Sequence, residues 1–460
     1  MVGEVLLVAF HSSTIAAKCH ALPRPPIPDA KRRKMSNATY EPDSAVEASQ
    51  IHALKQRVRH RSIGDGKSTY FGKYVSQEGS EKLRTYEYHG ADNSLVYKHV
   101  LTPMNNFLVE LLPLWLAPNL ITLIGLILVG GSHTLFVFLC PFLEGDAPWW
   151  AMVVAAAALF AYQTLDNLDG KQARRTKSSS PLGLLFDHGC DALNVSVGTM
   201  TMASILQMGT TWRTLGFVLS GHFVFIFATW EEYYSGSLEL PLINGPTEGI
   251  LIGIMLKLFT AVVGVDFWNQ ELVEGVQNNS LFVIVTMISS CCTLLFNVRN
   301  ALHAVRLNQD SNLVAFTRLL PFIILNTLAG LWALYSPSDI FSTHPRMFLW
   351  MLGLLNSKLV LHLMLAHLCG EEYHPFRKTL VPIFYVAGHC AFCMLEGIYD
   401  AINEGLIVRE FFFLSLAAYV HIVITVVWEV KNVLGVSVFT IPHSAKPKSK
   451  ASSKPAAKSS

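Results

Sequence analysis

The chain has 460 residues, of which 51% are hydrophobic and only 15% are charged. Its mean hydropathy of +0.38 excludes an ordinary soluble protein, in which about a quarter of the residues are charged. This composition indicates a protein that crosses a membrane several times. The net charge of +2 provides no strong field for nucleic acid, and we expect no such partner.

Both ends of the chain differ in composition from the apolar middle. Residues 1–70 contain two basic stretches and are expected to form a disordered basic N-terminal region. These stretches suit a solvated tail, or the binding of anionic headgroups or of a targeting receptor. Residues 436–460 form a low-complexity basic tail, which we expect to be disordered. The membrane domain is therefore predicted to occupy residues 75–435.

The membrane domain begins with an amphipathic segment and continues with ten apolar runs. Residues 94–116 mix apolar and polar residues, which predicts a helix in the membrane interface with Tyr97 and Trp115 as anchors. The expected fold is all-α, a polytopic helical bundle with about ten transmembrane helices, each of about 20 residues. These spans are predicted near residues 118–140, 148–165, 182–207, 213–231, 248–265, 281–298, 314–335, 346–369, 378–397 and 406–431.

The basic residues of the loops predict the orientation of the bundle. Loops 141–147, 266–280 and 398–405 contain neither Lys nor Arg, whereas the loop after the second span is rich in both. Because loops that stay in the cytosol carry an excess of basic residues, this asymmetry places both termini in the cytosol. The loop after the second span is then cytosolic too.

Four aspartates lie between the end of the second span and the first turns of the third, where an unpaired carboxylate would be costly to bury. Asp166 and Asp169 are three residues apart and share one face at the end of a helix. Asp187 and Asp191 are four residues apart and form a stripe on the next helix. Two helix ends therefore direct four carboxylates towards one point at the cytosolic mouth of the bundle.

The residues between these two helices predict how the chain turns. Gly170 is expected to help the chain turn after the first pair of aspartates. Ser180 followed by Pro181 is typical of an N-cap and a first helical position, so the next helix should begin there. Gly183 lies one turn before Asp187 and leaves room for a ligand to approach the helix backbone.

Three interpretations fit this cluster of acids. Two divalent ions about 4 Å apart would neutralise the carboxylates and form a clamp for displacement at phosphorus, with Lys171 and Arg174 binding further phosphate oxygens. Mg²⁺ or Mn²⁺ suits such oxygen ligands. The acids could instead mark an ion pathway in a transporter, or pair with the basic residues of their own loop.

The spacing of eight residues resembles the signature of the CDP-alcohol phosphotransferases. The pattern D-x2-D-G-x2-A-R-x8-G-x3-D-x3-D begins at Asp166 and ends at Asp191. Residues 86–101, 115–125 and 230–250 are similar to the corresponding stretches of eukaryotic choline and ethanolamine phosphotransferases. The resemblance extends from about residue 75 to residue 435.

This resemblance implies roles for individual residues. The first three aspartates of the motif share two metal ions, and the fourth completes the second metal site and serves as general base. These residues are Asp166, Asp169, Asp187 and Asp191 in chain order. The positions that line the CDP moiety correspond to Gly170, Ala173, Arg174 and Gly183. Asn119 matches a position near the nucleotide. The alternative is that this asparagine only starts a helix and has no role in nucleotide binding.

The resemblance also implies a reaction. Phosphocholine or phosphoethanolamine would pass from CDP-choline or CDP-ethanolamine to diacylglycerol, with release of CMP. The protein would be a homodimer in the membrane of the endoplasmic reticulum or Golgi, with its active site facing the cytosol. The alternatives are a CDP-diacylglycerol-dependent phosphatidyltransferase, such as a phosphatidylinositol synthase, and a cation transporter without enzymatic activity.

Four further polar residues have alternative interpretations. His188 lies three residues before Asp191 on the same helix and is a second candidate for the general base. It would otherwise form a hydrogen bond to a neighbouring helix. Glu232 and Glu248 flank a predicted cytosolic loop, where they are interpreted as solvated acids or as substrate ligands. Lys257 falls within a span and is expected to extend towards the interface.

Overall fold

The computed structural model describes residues 74–87, 90–240, 245–375, 378–396 and 403–441. The expectations for residues 1–70 and for residues 442–460 lie outside these ranges. The described part of the chain forms fourteen α-helices and two pairs of short strands, and the predicted all-α fold is confirmed.

The first part of the bundle contains seven helices and one pair of strands. Strands β1 and β2 pair in parallel, with Gly90 opposite Leu238. A turn of π-helix over Tyr97–Leu101 leads into α2, and another over Gly245–Gly249 leads into α7. The elements are α1 (Gln77–Arg84), β1 (Gly90–Asp92), α2 (Thr102–Leu111), α3 (Pro118–Leu139), α4 (Trp149–Arg175), α5 (Pro181–Ile205), α6 (Trp212–Ser235), β2 (Leu238–Leu240) and α7 (Ile250–Val263).

The second part contains seven further helices and one antiparallel pair of strands. Short 3-10 turns lie at Val265–Asn269 and Lys378–Leu380. The elements are β3 (Glu271–Val273), β4 (Val276–Gln277), α8 (Asn278–Leu307), α9 (Asn312–Thr317), α10 (Leu320–Tyr335), α11 (Ile340–Thr343), α12 (Pro345–Cys369), α13 (Val381–Glu396) and α14 (Glu404–Leu434).

A helix occupies each of the ten positions predicted as a span. Six of them, α3, α4, α6, α8, α12 and α14, are long and apolar enough to cross a membrane unaided. Helices α10 and α13 are apolar but have 16 residues each, α7 has 14 residues, and α5 carries two of the aspartates. The chain is therefore a multi-pass membrane protein, and its orientation stays a prediction.

A helix also forms in the segment that was predicted to lie in the interface. Helix α2 ends shortly before Trp115, whose side chain is 71% exposed. The guanidinium of Arg175 donates to the carbonyls of Val109 and Leu112, at 2.9 and 2.8 Å. The amide of Gln172 donates to the carbonyls of Pro113 and Leu116. These bonds fix the end of α2 to the last turn of α4.

Helix α12 is the most deeply buried of the candidate spans and lies against α5, α6 and α14. Glycines allow the backbones to approach closely there. A Cβ atom at Gly353 would collide with Ser196 of α5, and one at Gly189 would lie 3.1 Å from Leu361 of α12. Small residues at helix contacts serve this purpose in membranes, where packing rather than the hydrophobic effect holds helices together.

Polar side chains within the bundle are bonded to one another across helices. Asn326 of α10 and Asn356 of α12 exchange two hydrogen bonds, at 2.9 and 3.0 Å. Glu404, at the start of α14, is buried and accepts hydrogen bonds from the indole of Trp332 and from Ser336 and Ser338. This carboxylate therefore joins the start of α14 to the end of α10.

Replacing Glu404 with alanine should destabilise the fold. The substitution would leave several buried donors without an acceptor, and we expect the free energy of unfolding to fall by about 2–4 kcal/mol. The matched control is Glu410→Ala, because Glu410 lies on the same helix and is exposed. Thermal unfolding of the detergent-purified variants measures the difference. Equal melting temperatures for both variants would contradict this role of Glu404.

Candidate active site

Helix α4 continues through Gly170, and the expectation that the chain turns at this glycine is wrong. The helix ends at Arg175, and the turn follows at Thr176, whose N–H bonds the carbonyl of Gln172 at 2.9 Å. Glycine disfavours a helix by about 1 kcal/mol. The contacts of Gln172 and Arg175 with α2 hold the helix together over this last turn and outweigh that cost.

Helix α5 begins where the sequence predicts. Ser180 has an extended backbone, and its hydroxyl accepts a hydrogen bond from the N–H of Gly183 at 3.3 Å. Pro181 occupies the first helical position, where the missing N–H has no cost. This start fixes the rotation of α5 and directs Asp187 towards the end of α4.

Three aspartates meet at this junction. One carboxylate oxygen from each of Asp166, Asp169 and Asp187 lies within 4.8 Å of the other two. The oxygens of an octahedral magnesium site lie about 2.1 Å from the ion and hence about 3–4 Å from one another. The three carboxylates can therefore hold one divalent ion.

Two of these carboxylates have unused acceptors. The Oδ1 atoms of Asp166 and Asp187 are buried and have no hydrogen-bond partner within the described part of the chain. A buried acceptor without a donor is unfavourable by about 1–3 kcal/mol, and more when it is charged. A bound cation would satisfy both oxygens, so the donor set fits a hard divalent metal ion.

Hydroxyl groups on neighbouring helix turns orient the carboxylates. Thr122 of α3 donates a hydrogen bond to Asp169. Tyr162 of α4 donates to Asp191 over 2.5 Å and is itself buried. Neither hydroxyl was singled out in the sequence, although Tyr162 lies four residues before Asp166 and so on the same helix face. These bonds resemble the outer contacts that orient the ligands of metal sites in general.

Asp191 lies beside the other three acids, one turn further along α5 than Asp187. It interacts electrostatically with Asp166, Asp169 and Asp187. It does not belong to the group of three whose oxygens lie within 4.8 Å of one another. The four carboxylates therefore do not all converge on one point, contrary to the expectation from the sequence. Three of them form a close set, and Asp191 lies alongside it.

His188 and Glu232 form a buried pair next to this cluster. The Nε2 atom of His188 lies 3.2 Å from Oε2 of Glu232, and its Nδ1 lies 3.1 Å from the carbonyl of Leu184. Both imidazole nitrogens therefore have partners. The interpretation of Glu232 as a solvated acid is wrong, because its side chain is 1% exposed. Helix α6 extends beyond the predicted span end at residue 231 and carries Glu232 into the bundle.

The residues expected to line the nucleotide surround the start of α5. Asn119 is buried, and its amide donates to the carbonyl of Val438 at 3.0 Å. Its Oδ1 lies 3.6 Å from the position that a Cβ of Gly183 would occupy, so Gly183 keeps this space open. Beside Gly170, the guanidinium of Arg174 lies 3.5 Å from the corresponding Cβ position. Arg174 is exposed and Ala173 is half-buried.

Lys171, which was expected to hold phosphate oxygens beside Arg174, has a partner in this structure. Its ammonium group donates to the amide oxygen of Asn106 in α2 at 2.8 Å.

The loop before α7 approaches the site from the other side. Gln163 donates to the carbonyl of Thr247, and Ser94 donates to the carboxylate of Glu248. These contacts bring residues 245–249 next to α4, one turn from Asp166.

Comparison with known proteins identifies the family. The sequence model of the CDP-alcohol phosphatidyltransferase family matches residues 115–295. The chain is 34% identical to choline/ethanolaminephosphotransferase 1 of Arabidopsis thaliana over 388 residues, which cover 80% of this chain and 98% of the relative. It is 32% identical to ethanolaminephosphotransferase 1 of Mus musculus over 330 residues, which cover 68% of this chain and 82% of that protein.

A third relative comes from Dictyostelium discoideum. It is an uncharacterized CDP-alcohol phosphatidyltransferase class-I family protein, 33% identical over 376 residues, which cover 82% of this chain and 90% of the relative. The chain therefore belongs to the CDP-alcohol phosphatidyltransferase family. It is a transferase embedded in a membrane, and the aspartate cluster lies within the matched region.

Proposed function

We propose that the protein transfers phosphocholine or phosphoethanolamine from the CDP-alcohol to diacylglycerol, with release of CMP. The observation that carries this proposal is the meeting of Asp166, Asp169 and Asp187 at the junction of α4 and α5. It is supported by relatives named choline/ethanolaminephosphotransferase that align with most of the chain. We further propose a homodimer in the endoplasmic reticulum or Golgi membrane, with the active site facing the cytosol.

The aspartates would hold two Mg²⁺ or Mn²⁺ ions. Asp166, Asp169 and Asp187 would supply shared ligands, and Asp191 would complete the second site. When bound, such ions supply positive charge to the diphosphate during displacement at phosphorus. The protein's own part is to hold the ligands still, through Thr122 on Asp169 and Tyr162 on Asp191.

The CDP-alcohol would bind at the start of α5. Gly183 leaves space beside Asn119 for the nucleotide, and the exposed guanidinium of Arg174 can form charge-assisted bonds to a phosphate. Gly170 and Ala173 present a surface of small residues on the same side of α4. Diacylglycerol would approach from the bilayer, because its acyl chains remain in the hydrocarbon while its hydroxyl reaches the aspartates.

The acceptor hydroxyl must lose a proton as it attacks. Asp191 is the first candidate, because the resemblance to the family assigns this role to the fourth aspartate of the motif, and Tyr162 holds its carboxylate one turn along α5 from Asp187. Both nitrogens of His188 have partners, and its pairing with Glu232 suits a residue that positions α5 against α6. His188 remains the second candidate, since a carboxylate partner is also what orients a catalytic imidazole.

Release of CMP tests the proposed reaction. Purified protein with Mg²⁺ should release CMP from CDP-choline or CDP-ethanolamine only when diacylglycerol is present. Running both CDP-alcohols also measures headgroup preference. Activity with inositol and CDP-diacylglycerol instead would indicate a phosphatidyltransferase of the other type. No CMP release with any of these substrates, together with metal-ion transport into vesicles, would indicate a transporter.

The general base is tested by a pair of variants. If Asp191 is the base and His188 a positioning residue, Asp191→Asn should lose turnover by about 10²–10⁴-fold, whereas His188→Gln should keep much of it. Both should bind the CDP-alcohol, which is measured by equilibrium binding in Mg²⁺. A loss of turnover in His188→Gln as large as that in Asp191→Asn, with CDP-alcohol binding and the melting temperature unchanged, would assign the proton transfer to His188.

A further inference from the structure

A stripe of basic residues lies at the end of helix α8. Arg299, His303 and Arg306 follow one another at spacings of four and three residues, so they share one face of the helix. All three are exposed. Within the described part of the chain, no hydrogen bond or ion pair joins these three side chains to another residue. The stripe therefore presents positive charge that the described residues do not neutralise.

Lys257 of α7 is a contrasting case. Its side chain is 3% exposed, so the expectation that it extends towards the interface is wrong. Residues of α3, α4 and α5 surround it. This lysine faces the interior of the bundle, whereas the stripe on α8 faces outwards.

The length of α8 places the stripe at the level of the lipid headgroups. About 20 helical residues cross the hydrocarbon core of a bilayer, and Arg299 is the twenty-second of the 30 residues of α8. In the short helix α9 that follows, Leu313 is 74% exposed. An exposed apolar side chain close to basic residues is typical of a segment in the membrane interface.

The stripe lies on the same side of the membrane as the aspartates. The amide of Asn300 donates to the carboxylate of Glu231 in α6 at 3.0 Å, and the next residue, Glu232, pairs with His188 beside the cluster. The predicted orientation places this side in the cytosol, where the membrane leaflet carries anionic lipids. The stripe and such lipids therefore meet at the same surface.

The same face of α8 is apolar on the membrane side of the basic residues. Ile288, Cys292 and Leu295 precede Arg299 at spacings of four, three and four residues, and all three are exposed. Ile288 lies about 16 Å along the helix from Arg299, and one leaflet of the hydrocarbon core is about 15 Å thick. This face therefore matches a phospholipid in length, with apolar surface for an acyl chain and positive charge at the headgroup.

Charge argues against a second copy of the chain as the partner of this face. In a two-fold symmetric dimer, an interface along α8 would bring equivalent residues of the two copies together at the same depth. Arg299 and Arg306 would then face like charges, which is unfavourable at an interface. A phospholipid with a net negative charge would instead neutralise the stripe.

We propose that Arg299, His303 and Arg306 bind the headgroup of an anionic phospholipid, with an acyl chain along Leu295 and Ile288. The planar guanidinium groups would form charge-assisted, bidentate bonds to the phosphate, and the imidazole would donate a further bond. This binding does not depend on the proposed reaction, because the stripe lies outside the aspartate cluster and lipid binding is measured without substrate.

The affinity for lipid tests this site. Native mass spectrometry of the delipidated protein in detergent measures the dissociation constants for dioleoyl phosphatidylserine and for zwitterionic dioleoyl phosphatidylcholine. The wild type should bind phosphatidylserine more tightly. The double variant Arg299→Gln, Arg306→Gln should bind phosphatidylserine about 25-fold more weakly, roughly fivefold for each basic residue at a membrane surface. Its affinity for phosphatidylcholine should change much less.

The matched control removes two positive charges elsewhere. Lys177 follows α4 and Lys431 lies near the end of α14, and both are exposed. The double variant Lys177→Gln, Lys431→Gln should keep the wild-type affinity for phosphatidylserine. If the melting temperature of the double arginine variant falls, Arg306→Gln alone replaces it, with an expected loss of roughly fivefold.

Several results would overturn the lipid site. Unchanged phosphatidylserine affinity in the arginine variant would do so, and so would an equal loss in both double variants, which would reflect net charge alone. Equally tight binding of glycerophosphoserine, the same headgroup without acyl chains, would mean that the stripe holds a soluble phosphate. A lower dimer fraction of the arginine variant without added lipid would mean that the stripe is a contact between copies.

Discussion

Repulsion among buried carboxylates is the constraint on which the rest of this structure depends. Asp166, Asp169 and Asp187 have oxygens within 4.8 Å of one another, with Asp191 alongside, in a largely apolar bundle. Such a group is stable only when positive charge joins it or when protons neutralise it. The unused Oδ1 atoms of Asp166 and Asp187 suit a divalent metal ion, which would supply this charge when bound.

The surrounding elements hold the carboxylates in position against that repulsion. Arg175 and Gln172 bond the carbonyls at the end of α2, which keeps α4 helical to its last turn. Ser180 caps α5, and the pair of His188 and Glu232 joins α5 to α6. The proposed transfer from a soluble nucleotide to a membrane lipid requires such a fixed centre.

Local patterns predicted much of this arrangement, whereas tertiary contacts decided the rest. The start of α5 at Ser180 and Pro181 follows from capping chemistry, and the positions of the ten predicted helices follow from the length of the apolar runs. Gly170 remains helical because of contacts between α4 and α2. The sequence immediately around Gly170 does not indicate these contacts. The burial of Glu232 depends on a partner 44 residues away, and that of Lys257 on four helices meeting around it. Spacing along one helix could have indicated Tyr162, since it is one turn from Asp166.

Binding of Mn²⁺ to the purified protein without substrate tests the central claim most directly. Electron paramagnetic resonance of free Mn²⁺ measures the number of bound ions and their affinity. The wild type should bind up to two ions, and Asp187→Asn should bind them at least about 10–100-fold more weakly. The matched control is Asp266→Asn, which removes an exposed aspartate far from the cluster in sequence and should bind as the wild type does. No bound Mn²⁺ in the wild type, or equal binding by Asp187→Asn and the wild type, would contradict a metal site at these aspartates.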